Sequence, residues 1–284
     1  MKKTLLYILT ALLIISCDQE QFLEAEPMIV VEGWIDAGGY PKVFLSHNIP
    51  AADVDYRFDE LDEYLVRWAK VTVSDGDTSV VLTGRYTEEY FPPYVYTTGE
   101  MRGEEGKTYY LTVEYKDFYA IAQTTIPPKV EVKKFQPLYD AGKYHIKALI
   151  DDNPIEQNYY KFFTRIIGRD SMYLSSNSAV IADKDYVFPA EIIVNMGSSI
   201  MYNDEDNILS EDDALLIKFA QIDSVAYDFW DEYKNMMGLG QNIFFRNTKS
   251  LPTNIIGGMG YWFGYGATEY LLEPYNHENP KRIR

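Results

Sequence analysis

Cysteine and histidine are scarce in this chain, which has 284 residues but one cysteine, Cys17, and three histidines. A single cysteine forms no disulfide within the chain, so packing rather than cross-linking must stabilise the fold. Three scattered histidines leave little material for histidine-based catalysis or a zinc site. The sequence also lacks the short motifs HExxH, CxxC, GxSxG and the phosphate-binding GxxxxGK followed by Ser or Thr.

Basic residues are few as well, with 26 Lys and Arg against 43 Asp and Glu, a net charge of −17. This imbalance excludes nucleic acid as a partner, because binding to phosphates needs clustered basic side chains. It also excludes attraction to anionic lipid through the protein surface. The 46% hydrophobic content is enough for one or two cores, and the 25 tyrosines favour β-structure.

The N-terminus reads as a lipoprotein signal peptide over residues 1–16. Lys2 and Lys3 precede an apolar run over residues 4–15, which is too short to span a bilayer. Ile14, Ser16 and Cys17 then match the lipobox pattern, which predicts cleavage between Ser16 and Cys17 and acylation of Cys17, with palmitate among the chains. Several acyl chains would attach the mature protein stably to a lipid bilayer. The alternative is an ordinary secretory signal that happens to contain a cysteine.

Residues 17–26 form an acidic stretch containing Asp18, Glu20, Glu24 and Glu26. One interpretation is a solvated tether that holds the fold away from the bilayer. The other is a surface-export signal, since acidic stretches after the acylated cysteine resemble such signals in Bacteroidetes lipoproteins. On the second interpretation, the anchored protein is exposed at the cell surface.

Residues 27–128 read as about seven short strands separated by turns. Asp75-Gly76 is a strong hairpin signal, and residues 69–74 alternate between apolar and polar side chains. Tyr109 follows Gly106 at the start of a late strand, as the tyrosine corner does in immunoglobulin-like sandwiches. We therefore predict an all-β fold. Its first domain is an immunoglobulin-like β-sandwich that ends at Pro127-Pro128.

Residues 129–284 are predicted to form a second β-rich domain with one amphipathic helix near residues 224–237. Apolar side chains recur with helical spacing from Ala226 to Met237, Asp223 is placed as the N-cap and Gly238 ends the pattern. The alternative is one continuous sandwich with insertions. The glycine-rich residues 254–264 lack a following helix, so a strand with close backbone approach is favoured over a phosphate loop.

Two acidic clusters are the only candidates for metal binding or acid–base chemistry. Asp204, Asp206, Asp212 and Asp213 could contribute to a calcium loop, although Leu209 and Leu215 occupy the EF-hand positions that require Gly and Glu. A solvated turn is the alternative. Asp151 and Asp152 suggest a hydrolase at most weakly, since neighbouring strand residues point to opposite faces and make a poor catalytic pair. No other cofactor is predicted.

An aromatic, proline-rich stretch over residues 90–96 is the candidate ligand-binding element. Its rings could stack on sugars, which would make the protein a glycan-binding or adhesive module. The alternative is that these aromatic side chains belong to the core. The four candidate residues are Tyr90, Phe91, Tyr94 and Tyr96.

Four segments together resemble one family. The lipobox followed by residues 30–35, then residues 106–113, Ile126-Pro127 and residues 254–264 are similar to landmarks of a Bacteroidetes outer-membrane lipoprotein family known only as a domain of unknown function. The resemblance covers nearly the whole mature chain. It implies an anchored, β-rich protein, often encoded near TonB-dependent receptors, and it implies no catalytic residues.

These observations favour a non-enzymatic accessory lipoprotein that works with a TonB-dependent transporter in nutrient capture or uptake. The glycan-binding module is the first alternative. A hydrolase that uses the acidic residues is the second, and no nucleophile is paired with a base to support it.

Overall fold

The computed structural model describes residues 28–48, 61–90, 92–140, 143–151, 157–182, 190–194, 209–238 and 251–284. Within these ranges the protein is mostly β, which confirms the predicted class. A helix, α1 (Ser224–Gly238), follows β14, and a short 3-10 helix spans Leu61–Tyr64. The strands are β1 (Ile29–Asp36), β2 (Lys42–His47), β3 (Lys70–Ser74), β4 (Ser79–Val81), β5 (Thr83–Tyr86), β6 (Tyr94–Thr97), β7 (Thr108–Tyr115), β8 (Phe118–Thr125), β9 (Val132–Asp140), β10 (Lys143–Ile150), β11 (Tyr159–Ile166), β12 (Leu174–Ala182), β13 (Ala190–Val194), β14 (Leu215–Ile222), β15 (Met259–Glu273) and β16 (Asn276–Arg282).

A nine-stranded sheet contains strands from both halves of the sequence. Its order is β12-β11-β14-β15-β1-β2-β6-β5, with β16 paired to β15. The 15-residue strand β15 makes this continuity possible, because its first part pairs in parallel with β1 and its second part pairs antiparallel with β14. The division at residue 128 stays a prediction, and the strands on either side of it share this sheet.

The first core lies between one end of the nine-stranded sheet and a four-stranded sheet of order β4-β3-β7-β8. Alternating residues of β1, among them Ile29 and Val31, meet alternating residues of β7, among them Tyr109 and Leu111. Trp262 of β15 lies in the same core, and its indole Nε1 donates to the Tyr109 carbonyl at 3.1 Å. The pattern of period two along these strands produces this arrangement.

Tyr109 forms the hydrogen bonds expected of a tyrosine corner. Its ring is fully buried, and its hydroxyl donates to the Arg102 carbonyl at 3.0 Å and accepts from the Glu104 amide at 2.9 Å. The side chain therefore ties the start of β7 to the connection that precedes it. Two backbone groups that would otherwise need water are satisfied in this way.

A second core lies towards the other end of the nine-stranded sheet, which is covered there by a three-stranded sheet of order β13-β10-β9. Phe135 of β9 and Ile146 of β10 pack with Phe162, Phe219 and Tyr270 of the larger sheet. Along β10, apolar and polar side chains alternate as far as Ala148, and Tyr144, Ile146 and Ala148 point into this core.

Helix α1 packs on the opposite face of the nine-stranded sheet and confirms the predicted helix. Asp223 caps it as expected, because its Oδ1 accepts from the Ala226 amide at 2.7 Å. Phe229 and Trp230 contact the sheet, and Trp230 Nε1 donates to the Tyr265 hydroxyl at 3.2 Å. In the part of the chain that is described, no helix has the length and apolarity needed to cross a membrane.

Candidate functional site

The sheet face beneath and beside α1 combines aromatic rings with buried charges. On β1, the residues that alternate with the first-core positions are Glu32, Trp34 and Asp36, and they point to this side. Their neighbours on β15 are Tyr261, Phe263 and Tyr265. Charged side chains are rarely buried unless they are paired, so each charge on this face needs an explanation.

Four side chains form an ion cluster, defined as Asp36, Lys218, Glu269 and Arg284. Asp36 is in ionic contact with Lys218, and it accepts a hydrogen bond from Arg284 Nη2 at 2.8 Å. Arg284 also contacts Glu269, which accepts from the Tyr173 hydroxyl at 3.1 Å. Two acids and two bases compensate each other, which makes the cluster a structural feature that requires no ligand charge.

The pKa of Asp36 shows how strongly the ion cluster is coupled. Burial alone would raise the pKa of Asp36, but the charges of Lys218, Arg284 and Lys42 outweigh burial and hold it below its ordinary value. Burial lowers the pKa of Lys218, and Asp36 and Glu269 counter this shift only in part. Lys218 also lies over the Tyr265 ring, with 4.5 Å from Nζ to the ring centroid.

Lys161 is a further buried cation on this face. It is 1% exposed, and its Nζ lies 5.1 Å from the ring centroid of Trp230 and 5.7 Å from that of Phe163. Burial, with a contribution from the charge of Lys234, lowers the pKa of Lys161 to about 7. Its amine therefore lies between the neutral and charged forms at neutral pH, and the rings beside it stabilise the charged form.

Glu32 differs from the ion cluster because no described residue donates a hydrogen bond to it or forms an ion pair with it. The side chain is half-buried, and burial raises the pKa of its carboxyl group to about 7. Its strand neighbours are Tyr261 on β15 and Phe44 on β2. After burial, the charge of Glu32 is the next cause that raises the pKa of Tyr261 and that of Tyr233, the latter to about 12.

The hydroxyl groups of Tyr233 and Tyr261 make no hydrogen bond with the described part of the chain. We refer to Glu32, Tyr233 and Tyr261 as the Glu32 recess, because helix α1 supplies Tyr233 above the sheet row that holds the other two. Among the described residues, these three polar groups thus lie near one another without hydrogen-bond or ion-pair partners, whereas each charge of the ion cluster meets an opposite charge. Sites that bind ligands have this property, because their polar groups are matched by the ligand.

An aromatic cluster borders the Glu32 recess and contains one of the predicted ligand-binding residues, Tyr90. Trp34 stacks on Phe44 at 5.5 Å between ring centroids, and Tyr90 lies 5.4 Å from Phe44 and 6.3 Å from Trp34. Phe44 is nearly fully buried, so these rings mainly pack on one another. Phe91 lies outside the described residues.

The other two predicted aromatic residues, Tyr94 and Tyr96, lie on the opposite side of the sheet. Tyr96 is 2% exposed in the first core and donates to the Val66 carbonyl at 2.8 Å. Tyr94 packs against the same core and donates to the Arg67 carbonyl at 3.0 Å. The structure therefore does not bring Tyr94 and Tyr96 together with Tyr90, and packing accounts for both.

The acidic clusters are only partly described, since Asp152, Asp204 and Asp206 lie outside the described ranges. Asp151 forms an ion pair with Lys133, and Asp213 accepts from Arg169 at 3.2 Å and from the Ser210 amide at 2.8 Å. Burial contributes little at Asp212, where hydrogen bonding to Ser210 holds the pKa below its ordinary value. Among the described residues, no group of three or more acidic, histidine or cysteine side chains is arranged to hold a metal. Calcium binding by these aspartates stays a prediction.

Ser16 and Cys17, with the tether that follows them, lie outside the described residues, so cleavage and acylation stay predictions. A family model described as a domain of unknown function, DUF4249, matches residues 16–270. This match confirms the predicted resemblance to a family of unknown function. No curated protein matches the chain.

Proposed function

The chain belongs to the DUF4249 family, and we propose that it is a lipid-anchored, non-enzymatic accessory protein of the outer membrane. In this role it docks on a TonB-dependent transporter and assists the capture or uptake of a nutrient. The single structural observation that carries the proposal is an exposed, nearly uncharged sheet face suited to a protein partner. The lipobox supplies the location.

Cys17 is the first test, because the proposal requires acylation there. We expect Cys17→Ala to abolish incorporation of labelled palmitate and to move the protein out of the outer-membrane fraction, since the acyl chains supply the attachment. Metabolic labelling and membrane fractionation measure both effects. A Ser176→Ala variant serves as a matched control for a small polar-to-alanine change. Retention of the label in Cys17→Ala would show that the lipobox interpretation is wrong.

The outer sheet face is the exposed side of the four-stranded sheet, defined by Val81, Tyr110, Tyr119, Ile121 and Ile256. Strand pairing places Val81, Thr72, Thr112 and Ile121 in one continuous row. Ile256 extends this row by a β-bridge to Ile121. Tyr119 is 60% exposed and Ile256 is 70% exposed. Contiguous exposed apolar surface of this kind marks interaction sites on soluble domains.

The charge of this face indicates a protein partner. The whole chain carries a net charge of −17, yet the charges on the outward positions of β3 and β7 are one lysine and one glutamate. These two, Lys70 and Glu114, pair with each other at 2.6 Å near one end. Burying such a face requires little charge desolvation, and tyrosine is among the side chains enriched in interface cores.

Tyr119→Lys is expected to reduce recovery of the transporter at least about tenfold in a mild-detergent pull-down from outer membranes. The new charge would have to be desolvated in the interface, and its cross-strand neighbour Glu114 is already paired with Lys70. The bait carries a tag after a flexible C-terminal linker, so that Cys17 stays free. Tyr86→Lys is the matched control, because Tyr86 is 65% exposed on β5 in the other sheet. Equal recovery with both variants, or no TonB-dependent receptor with the wild type, would contradict the proposal.

We also propose an immunoglobulin-like sandwich for residues 29–125. One sheet has the order β1-β2-β6-β5 and the other β4-β3-β7-β8. If β4 is named C′ and the other strands are named A to G in chain order, the first sheet has the A-B-E-D arrangement and the second contains C, F and G side by side, as in that fold. The Tyr109 hydrogen bonds support the same assignment. The docking face then corresponds to the outer side of the C-F-G sheet.

A further inference from the structure

We propose that the Glu32 recess binds the primary ammonium group of a small-molecule amine. This inference names a ligand class for the accessory role proposed above. Its test uses the purified chain alone, so its failure and a failure to find a transporter are separate results.

The first argument is that Glu32 has no hydrogen-bond or ion-pair partner in the described part of the chain, whereas the other two acids of this face are paired. Asp36 and Glu269 are matched by Lys218 and Arg284. A carboxylate that is half-buried among aromatic rings costs free energy unless a positive charge reaches it. Because the side chain keeps some exposure, a ligand can approach it from solvent.

The second argument concerns the number and kind of polar groups. An ammonium group has three donors and no acceptor. The Glu32 carboxylate can accept a charge-assisted hydrogen bond, and the oxygens of Tyr233 and Tyr261 can accept one each. These are the groups left without partners among the described residues. The donors of an ammonium and the acceptors of the recess therefore agree in number.

The third argument is that a sugar fits the same place less well. Sugar recognition in β-proteins relies on an open aromatic ring face. Here Trp34 stacks on Phe44, and Lys42 Nζ and Lys218 Nζ each lie 5.8 Å from the Trp34 ring centroid. Tyr261 stacks on Phe263 at 4.8 Å. At least one face of each of these two rings is thus covered by another side chain.

Ionisation of Glu32 must accompany binding, because a neutral carboxyl group does not attract a cation. The free carboxyl group has a pKa of about 7, and a bound cation would lower this pKa. Affinity is therefore expected to rise with pH through 7 and to level off above it. The charge of Glu32 acts on Tyr233 and Tyr261, and both stay neutral in this range. On the same face, Lys161 has a pKa of about 7 and also changes its charge over this range.

The test is isothermal titration of the purified chain with n-butylammonium at pH 6, 7 and 8.5. n-Butanol serves as the neutral analogue, and a methyl glucoside as the sugar. We expect n-butylammonium to bind and n-butanol and the glucoside not to bind. The affinity for n-butylammonium should be at least about tenfold lower at pH 6 than at pH 8.5, and at least about tenfold lower in Glu32→Gln than in the wild type. Glu114→Gln, which removes an exposed glutamate on the outer sheet face, should bind as the wild type does.

Three results would overturn the inference: no amine binding by the wild type at pH 8.5, equal affinity in Glu32→Gln, or preferential binding of the glucoside. A second measurement covers the case in which Glu32→Gln unfolds. Carbon-13 NMR of glutamate carboxyl groups should show one group titrating near 7 in the free protein. That pKa should fall when saturating n-butylammonium is added, and an unchanged pKa would contradict binding at this position.

Discussion

Asp36→Asn is expected to lower the free energy of unfolding by about 3–5 kcal/mol. The substitution leaves Lys218 as a buried cation, since both residues are at most 5% exposed and Asp36 is in direct contact with the amine. Arg284 loses one of its two carboxylates and keeps Glu269. Urea unfolding followed by tryptophan fluorescence measures the change.

Two comparisons separate the charge effect from a general loss of packing. Glu114→Gln breaks an exposed ion pair with Lys70 and should cost no more than about 1 kcal/mol. The double variant Asp36→Asn with Lys218→Met should be more stable than Asp36→Asn alone, because it removes the charge that the single change leaves unpaired. If the double variant is no more stable than the single one, the cost does not come from Lys218.

The pH dependence of the Asp36→Asn variant has a definite sign. Without Asp36, the pKa of Lys218 in the folded chain falls further below its ordinary value of 10.5. At pH values between the pKa of Lys218 in the folded variant and its ordinary value, the unfolded chain binds more protons than the folded chain. The free energy of unfolding of the variant therefore rises with pH in this range. The difference in free energy of unfolding between the wild type and the variant should therefore decrease from pH 7 towards pH 9.5. The wild type should lose stability in acid, as Asp36 takes up a proton and leaves the contact.

Local sequence patterns correctly predict those elements whose conformation depends mainly on residues close to one another in the sequence. Helix α1 and its Asp223 cap follow from apolar spacing and one side-chain oxygen, and the Asp75-Gly76 hairpin follows from its turn residues. Strands β9 and β16 were not predicted. β9 contains Lys133, Lys134 and Pro137, and β16 (Asn276–Arg282) is polar along its length. Each lies at the edge of its sheet, where one side needs no apolar contacts.

The sequence analysis does not single out the residues of the ion cluster or of the Glu32 recess, although the sequence contains a signal for some of them. Glu32, Lys161 and Lys218 are charged residues within mostly apolar strands, and a charge in such a strand must find a partner or serve a function. The sequence does not reveal which charges meet. Asp36 and Lys218 are 182 positions apart, and Asp36 and Arg284 are 248 apart. Their contact depends on β15 joining β1 to β14, a pairing over long range that no local pattern specifies.

The strand predicted for the glycine-rich residues 254–264 is confirmed from Met259 onwards, where close backbone approach explains how β15 joins β1. Gly260 pairs with Val31 in the parallel ladder. Its φ of +98° is in a region that side chains with a Cβ rarely adopt, and a Cβ there would lie 1.9 Å from the Val31 carbonyl oxygen. The strand on which the two halves of the nine-stranded sheet depend therefore requires glycine at this position.

Gly260→Ala should consequently reduce the free energy of unfolding by about 4 kcal/mol or more, because β1 and β15 must separate to admit the methyl group. Gly76→Ala is the matched control. Gly76 has a similar φ of +95°, but no atom lies within 4 Å of the added Cβ. Both variants incur the left-handed backbone cost of about 1–2 kcal/mol, and only Gly260→Ala adds the steric contact. Urea unfolding of both variants measures the difference, and equal losses would show that backbone conformation, not the approach of β1, makes glycine necessary at position 260.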